Sequence, residues 1–253
     1  MRRLGSTHVN SWGATETAIS LLRPDRTSRP ISIAATPQKL TFDLGRTALI
    51  VIDMQNDFCH PEGWLASIGV DIEPARHPIR PLQTLLPVLR AQDVPVIWLN
   101  WGNRPDKANL PPSVLHVYDP AAENKGIGSP VGASDRKVLE DGTWNAAIID
   151  DLEVQPKDIH VSKYRMSGFW DTPLESILRN LKVDTLLFAG VNSDQCVLST
   201  LTDAGCLGYD CILLEDCAST TSPDFCAKAT VYNVRQCYGF VADSSDLVAS
   251  LST

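Results

Sequence analysis

The chain has 253 residues, 43% hydrophobic and 21% charged, with a formal net charge of −8. That composition fits one α/β domain with a substantial core, and the acidic balance, with no basic run longer than the initial "MRR", argues against nucleic acid or an anionic bilayer as a partner. No stretch approaches the roughly 18 apolar residues of a membrane span, and "MRRLGSTHVNSW" lacks the apolar core of a secretory signal, so the expected compartment is the cytoplasm.

Residues 1–40 are polar, punctuated by Pro, Ser and Thr, and hold no sustained period of 2 or 3.6. They read as an extension packed on a neighbouring subunit, leaving residues 41–253 as the folded domain. From Thr47 onward come compact apolar runs: "TALIVID" (47–53), "VPVIWLN" (94–100), "DIHVSK" (158–163), "VDTLLFAGV" (183–191) and "YDCILLED" (209–216). Short β-branched runs bounded by turn residues describe strands buried on both faces. Between them, 78–93, 172–182, 195–208 and 222–236 follow a helical period. Alternation of strand and helix predicts a parallel sheet with right-handed crossovers. The closing "YGFVADSSDLVASL" (238–251) adds an edge strand and a last helix. The segment 102–142, rich in Pro, Gly and Asn, is expected to be an active-site loop or an oligomer contact.

In an open parallel sheet, ligands bind beyond the carboxyl ends of the strands. The first run delivers Asp53 there, followed by Asn56, Asp57 and Phe58; the third delivers Lys163; the fourth, through "FAGVNSDQCV", delivers Cys196 about one turn into a helix. A thiol attacks as thiolate, and a neighbouring cation and helix N-terminus lower its pKa. Lys163 and the helix opening at Ser193 or Asp194 are placed to do this, with Asp53 as general base and then general acid. The backbone N–H groups of Asn192 and Cys196 are candidates for an oxyanion hole. Each residue also has a plain structural reading: Asp53 as a cap, Lys163 as a solvated charge, Cys196 as a small buried hydrophobe. The seven cysteines include no C-x-x-C pair and suit a reducing compartment better than a disulfide framework.

"TALIVIDMQNDF", "SKYRMSGFWDTPLESIL" and "FAGVNSDQCVLSTLTDA" resemble the three signature blocks of the isochorismatase-like cysteine hydrolases, in family order and spacing, within a likeness running from about Phe42 to Leu251. The resemblance implies a three-layer α/β/α sandwich with a central, mostly parallel, Rossmann-like sheet, and a homo-oligomer, often a tetramer. It carries an Asp-Lys-Cys triad onto Asp53, Lys163 and Cys196, and a cis Val191–Asn192 peptide that aims the Asn192 N–H at the oxyanion. Ser193 stands where the family commonly has Thr. Metal-binding members carry Asp-x-His after the second strand; "WLNWGNRPD" does not, so no metal or other cofactor is expected. Isochorismatases proper lack the active-site cysteine and favour anionic substrates, so Cys196 points to an amidase.

Among amidases, "SGFWDTPLESIL" and "YNVRQCYGF" resemble ureidoacrylate amidohydrolases of pyrimidine breakdown, whereas "NRPDKANLP" (103–111), "GIGSP" (126–130) and Gln236 resemble biuret and triuret hydrolases. A linear ureide alternates N–H donors and C=O acceptors, which suits the side-chain amides of Asn100 and Gln236 and the guanidinium of Arg104. Phe58, Trp64, Tyr164, Phe169 and Trp170 are candidates to wall the pocket. The expected function is metal-independent hydrolysis of a ureide C–N bond, with triuret or biuret favoured and ureidoacrylate the alternative. From another class, the chain is a catalytically silent small-molecule binder or scaffold. Exhaustive chelation is expected to leave ureide hydrolysis unchanged, because "WLNWGNRPD" and five scattered histidines supply no zinc ligand set. Activity lost to a chelator and restored by a divalent ion defeats that expectation.

Overall fold

The apolar runs assemble, in a computed structural model describing residues 2–131 and 135–252, into a six-stranded sheet. Its strands are β1 (Thr47–Ile52), β2 (Val96–Trp101), β3 (Ile159–Lys163), β4 (Thr185–Gly190), β5 (Asp210–Ala218) and β6 (Gly239–Ala242). The order is β6-β5-β4-β1-β2-β3, and every pairing is parallel. All positions of β1 and β4 are buried, as strands covered on both faces require. The chain starts mid-sheet, winds out to β3, then returns to the other side of β1. That reversal leaves a crevice above the carboxyl ends of β1 and β4, the place where doubly wound sheets bind ligands.

Five helices cover the sheet: α1 (Ile79–Ala91), α2 (Leu174–Leu181), α3 (Leu198–Cys206), α4 (Asp224–Asn233) and α5 (Ser244–Leu251). In α1, Ile79, Leu82, Leu86 and Leu89 are buried, three to four residues apart, so one stripe faces the core. This α1 stripe packs beside α5 and against β5, and the sandwich has the expected three layers. Two expected helices depart from α geometry. Residues 193–197 form a π-helical turn ahead of α3, and residues 234–238 form another after α4. Such turns are rare and concentrate at functional sites. Among the described residues, no helix is long and apolar enough to cross a membrane.

The N-terminal region is more regular than its sequence suggested. Residues 2–4, 12–14 and 19–20 form a small antiparallel sheet, and Pro30–Ile33 pairs with Leu40–Asp43 across residue 40. These strands are two to four residues long, too short for a hydrophobic period to emerge. The region packs on its own chain: Asn10 donates to Asn180, Arg26 to the Lys182 carbonyl and Arg29 to the Gln92 carbonyl. A bridge from Thr36 to Val241 continues it along the β6 edge.

Gly190 ends β4 at the switch point with φ +110°, and a Cβ there would lie 2.0 Å from the Ile52 carbonyl oxygen. Only glycine allows β1 and β4 to approach so closely where the site begins. Gly190→Ala is therefore expected to cost roughly 3 kcal/mol, from the backbone conformation and overpacking together. Denaturant unfolding checks this, and an unchanged midpoint would contradict the packing account.

Candidate active site

Three strand ends converge in the crevice. Asp53 follows β1 with φ +52°, a left-handed conformation that aspartate tolerates better than most residues. Its N–H donates to the Leu99 carbonyl at 3.0 Å, and its Oδ1 accepts from the Trp101 N–H at 2.9 Å, so β2 holds both its backbone and its side chain. Lys163 closes β3 and extends under the Trp101 ring, with Nζ 4.7 Å from the centroid. Its ammonium lies 2.8 Å from Asp53 Oδ2, 3.2 Å from Cys196 Sγ and 3.3 Å from the Arg165 carbonyl. Asp53 and Lys163 are both 0% exposed. Charges that deep persist when paired and hydrogen-bonded, and each has the other as its partner.

Cys196 sits within the π turn, 5% exposed. Burial pushes its thiol up to about 12; the Asp53 charge acts in the same direction and Lys163 opposes it. The direction is opposite to the one expected from a neighbouring cation, because desolvation of the thiolate outweighs Lys163. Burial and the Asp53 charge thus favour the protonated thiol over the thiolate. For Lys163, burial pulls the pKa down, but Asp53 and Cys196 overcome it and the net shift is upward, so the ammonium is retained. Carboxylate, ammonium and thiol in contact can transfer the thiol proton as attack proceeds.

The Val191–Asn192 peptide is cis, as the resemblance implied. The Asn192 carbonyl accepts from the N–H groups of Gln195 and Val197, and its side-chain Oδ1 accepts from the Thr221 N–H at 3.1 Å. Above Cys196 opens a cleft of about 220 Å³. Phe58, Trp64, Trp101 and Tyr118 form aromatic walls, and Asn192, Gln195 and Thr221 stand beside the thiol. Tyr118 meets Trp64 and Trp101 edge-on, at centroid distances of 5.8 and 6.4 Å. Its hydroxyl lies 3.7 Å from Met166 Sδ, which is 3.8 Å from Cys196 Sγ.

Of the aromatic residues singled out in the sequence, Phe58 and Trp64 reach the cleft and three do not. Tyr164 stacks with Arg165 and donates to the Asp171 carbonyl; Phe169 packs on Tyr209; Trp170 is 63% exposed and donates to Asp203. Asn100 opens into a separate cavity of about 470 Å³ beside Asp141 and His160. Arg104 is exposed, its guanidinium taken by Asp106 in two hydrogen bonds of 2.9 and 2.8 Å. Gln236 is exposed on the second π turn, whose inward position is Val234, and it is not among the cleft residues. A strand-end position or a shared motif did not bring these side chains into the cleft beside Cys196, because Arg104 is paired locally, Asn100 faces another cavity and Gln236 faces outward. Conversely, Trp101, Tyr118 and Gln195 were missed. Trp101 was detectable at the end of a strand, and Gln195 beside the nucleophile; Tyr118 depends on the path of a long irregular segment.

A buried thiol, ammonium and carboxylate at the switch point of a doubly wound sheet define the class: an α/β cysteine hydrolase. A family model described as the isochorismatase domain matches residues 47–246, and the chain belongs to the isochorismatase family. It is 34% identical over 238 residues to the ureidoacrylate amidohydrolase RutB of Rhizobium rhizogenes, a match covering 93% of this chain and 96% of that protein. A cysteine hydrolase from Pseudomonas syringae shares the fold with a TM-score of 0.70 at 24% identity, over 89% of this chain and 99% of its own. The N-carbamoylsarcosine amidase of Thermoplasma acidophilum is similar with a TM-score of 0.61 at 25% identity, over 79% and 96%.

Because Asp53 raises the Cys196 pKa, Asp53→Asn is expected to lower it from about 12. Mass spectrometry of Cys196 alkylation against pH reads the change. A midpoint that stays put or rises would refute this assignment of the shift.

Proposed function

We propose that the chain is an amidohydrolase using Cys196 as nucleophile, Asp53 as general base and acid, and Lys163 as the cation that holds both. The contact of Lys163 with Asp53 at 2.8 Å and with Cys196 at 3.2 Å carries this reading. As Sγ attacks the substrate carbonyl, the thiol proton passes to Asp53, and the developing oxyanion is received by the backbone N–H groups of Asn192 and Cys196. Collapse breaks the C–N bond, and the departing nitrogen takes the proton from Asp53. A water then attacks the thioester-like acyl or carbamoyl enzyme, giving its proton to Asp53, and the thiol is regenerated as the acid leaves. No metal takes part in these steps.

The substrate is a small ureide, with biuret or triuret favoured. Among the described residues, none lining the cleft is Arg, Lys or His, so a substrate carboxylate would go unpaired there, whereas a neutral ureide meets amides beside the thiol and aromatic faces elsewhere. The relatives named for ureidoacrylate and N-carbamoylsarcosine support a ureido substrate in general. A second reading, ureidoacrylate itself, is favoured by the 34% identity spanning nearly both chains. Phe225 and Tyr232, two turns apart on α4 and 70% and 55% exposed, support a homo-oligomer, expected to be a tetramer.

Ammonia release from biuret, triuret and ureidoacrylate ranks the substrates, and no release from any of them would favour a silent binder. Cys196→Ser is expected to keep the fold and abolish turnover, because an alkoxide is far harder to form than a thiolate. Hydrolysis at near wild-type rate by that variant would remove Cys196 from the mechanism.

A further inference from the structure

Beside the thiol, the cleft presents two side-chain amides, and the loop 219–222 holds one end of each. Thr221 N–H can only donate, so the atom it meets at 3.1 Å is the Asn192 oxygen, and the Asn192 nitrogen is the free end. On Gln195 the tie is reversed: Nε2 donates to Ser222 Oγ at 3.3 Å and Oε1 is left free. The loop is itself fixed, since Ser222 N–H donates to Thr220 Oγ1 at 3.0 Å and Ser193 N–H to the Ser219 carbonyl at 2.8 Å. Among the described residues, neither free atom has a hydrogen-bond partner. Beside the thiol, this pair therefore offers one oriented donor and one oriented acceptor, facing walls such as Phe58, Ile127 and Leu139, which offer neither.

We infer that Asn192 and Gln195 are the specificity-determining pair, reading one –CO–NH– edge of the substrate: Asn192 Nδ2 donates to its oxygen and Gln195 Oε1 accepts from its N–H. The inference deepens the proposed function and rests on it for the substrate class. A ligand with no N–H leaves Gln195 Oε1 desolvated and unpaired, and so is rejected by the same cleft that admits a ureide of similar size. Ser222 is a positioning residue, acting through the orientation it imposes on Gln195.

The test separates binding from turnover. Biuret and tetramethylurea, which has no N–H, are titrated calorimetrically into the Cys196→Ser protein and into the same protein carrying Gln195→Met or Ser222→Ala. Biuret is expected to bind the parent and tetramethylurea to bind far more weakly. Gln195→Met should weaken biuret about tenfold to a hundredfold, the cost of one unsatisfied group, with Ser222→Ala between the two. If Gln195 only braces the loop, Gln195→Met will lower the Tm and spare biuret binding; that result overturns the inference, as does equal binding of both ligands or no binding of biuret. Ammonia release by the wild type is scored independently. Turnover with Gln195-independent binding sinks the inference alone, and Gln195-dependent binding without turnover of any ureide sinks the proposed reaction alone.

Discussion

The buried ion pair of Asp53 and Lys163 is the constraint around which the rest of the site is arranged. Two charges at 0% exposure are tolerable only when each faces the other, and breaking such a pair by removing one partner costs about 3–5 kcal/mol. To meet, they require β1 and β3 to end at the same level with β2 between them. Gln55 enforces that alignment: its side chain accepts from the Trp101 N–H at 2.8 Å and donates to the Trp101 carbonyl at 2.8 Å. Trp101, pinned by its backbone, presents its ring to the ammonium. The charge pair, the strand register and the aromatic wall are thus one construction.

Burial also explains why Cys196 is not distinguished from the other buried cysteines by its acidity. Cys59 and Cys211 are likewise pushed up to about 12, chiefly by burial, and neither has an ammonium in contact. What sets Cys196 apart is position: its sulfur touches Lys163, and the adjacent Asp53 can take its proton. A thiol kept neutral at rest is a poor target for adventitious oxidation, since reactivity follows thiolate character.

The cleft walls are held in place by a second buried carboxylate. Asp57, raised to about 6 by burial, accepts from the N–H groups of Trp64 at 2.9 Å and Leu139 at 2.7 Å and from the Asn145 side chain. One side chain thereby joins the residues after β1 to the segment that carries Tyr118. That segment is irregular in sequence but not free in space, and through Asp57 it contributes a wall to the cleft.

Local pattern determined the sheet strands, most helices, their parallel direction and the three chemical residues at the strand ends, because a strand buried on both faces and an amphipathic helix announce themselves within about ten residues. The three signature blocks added the family and the cis peptide. Tertiary structure decided everything that depends on which side chains meet. It placed Tyr118 and Gln195 in the cleft, turned Asn100 into another cavity, let Asp106 capture Arg104 and left Gln236 exposed. It also reversed the sign of the Cys196 shift, since neighbouring charges can be guessed from spacing but desolvation depends on how completely the surrounding chain closes over the sulfur.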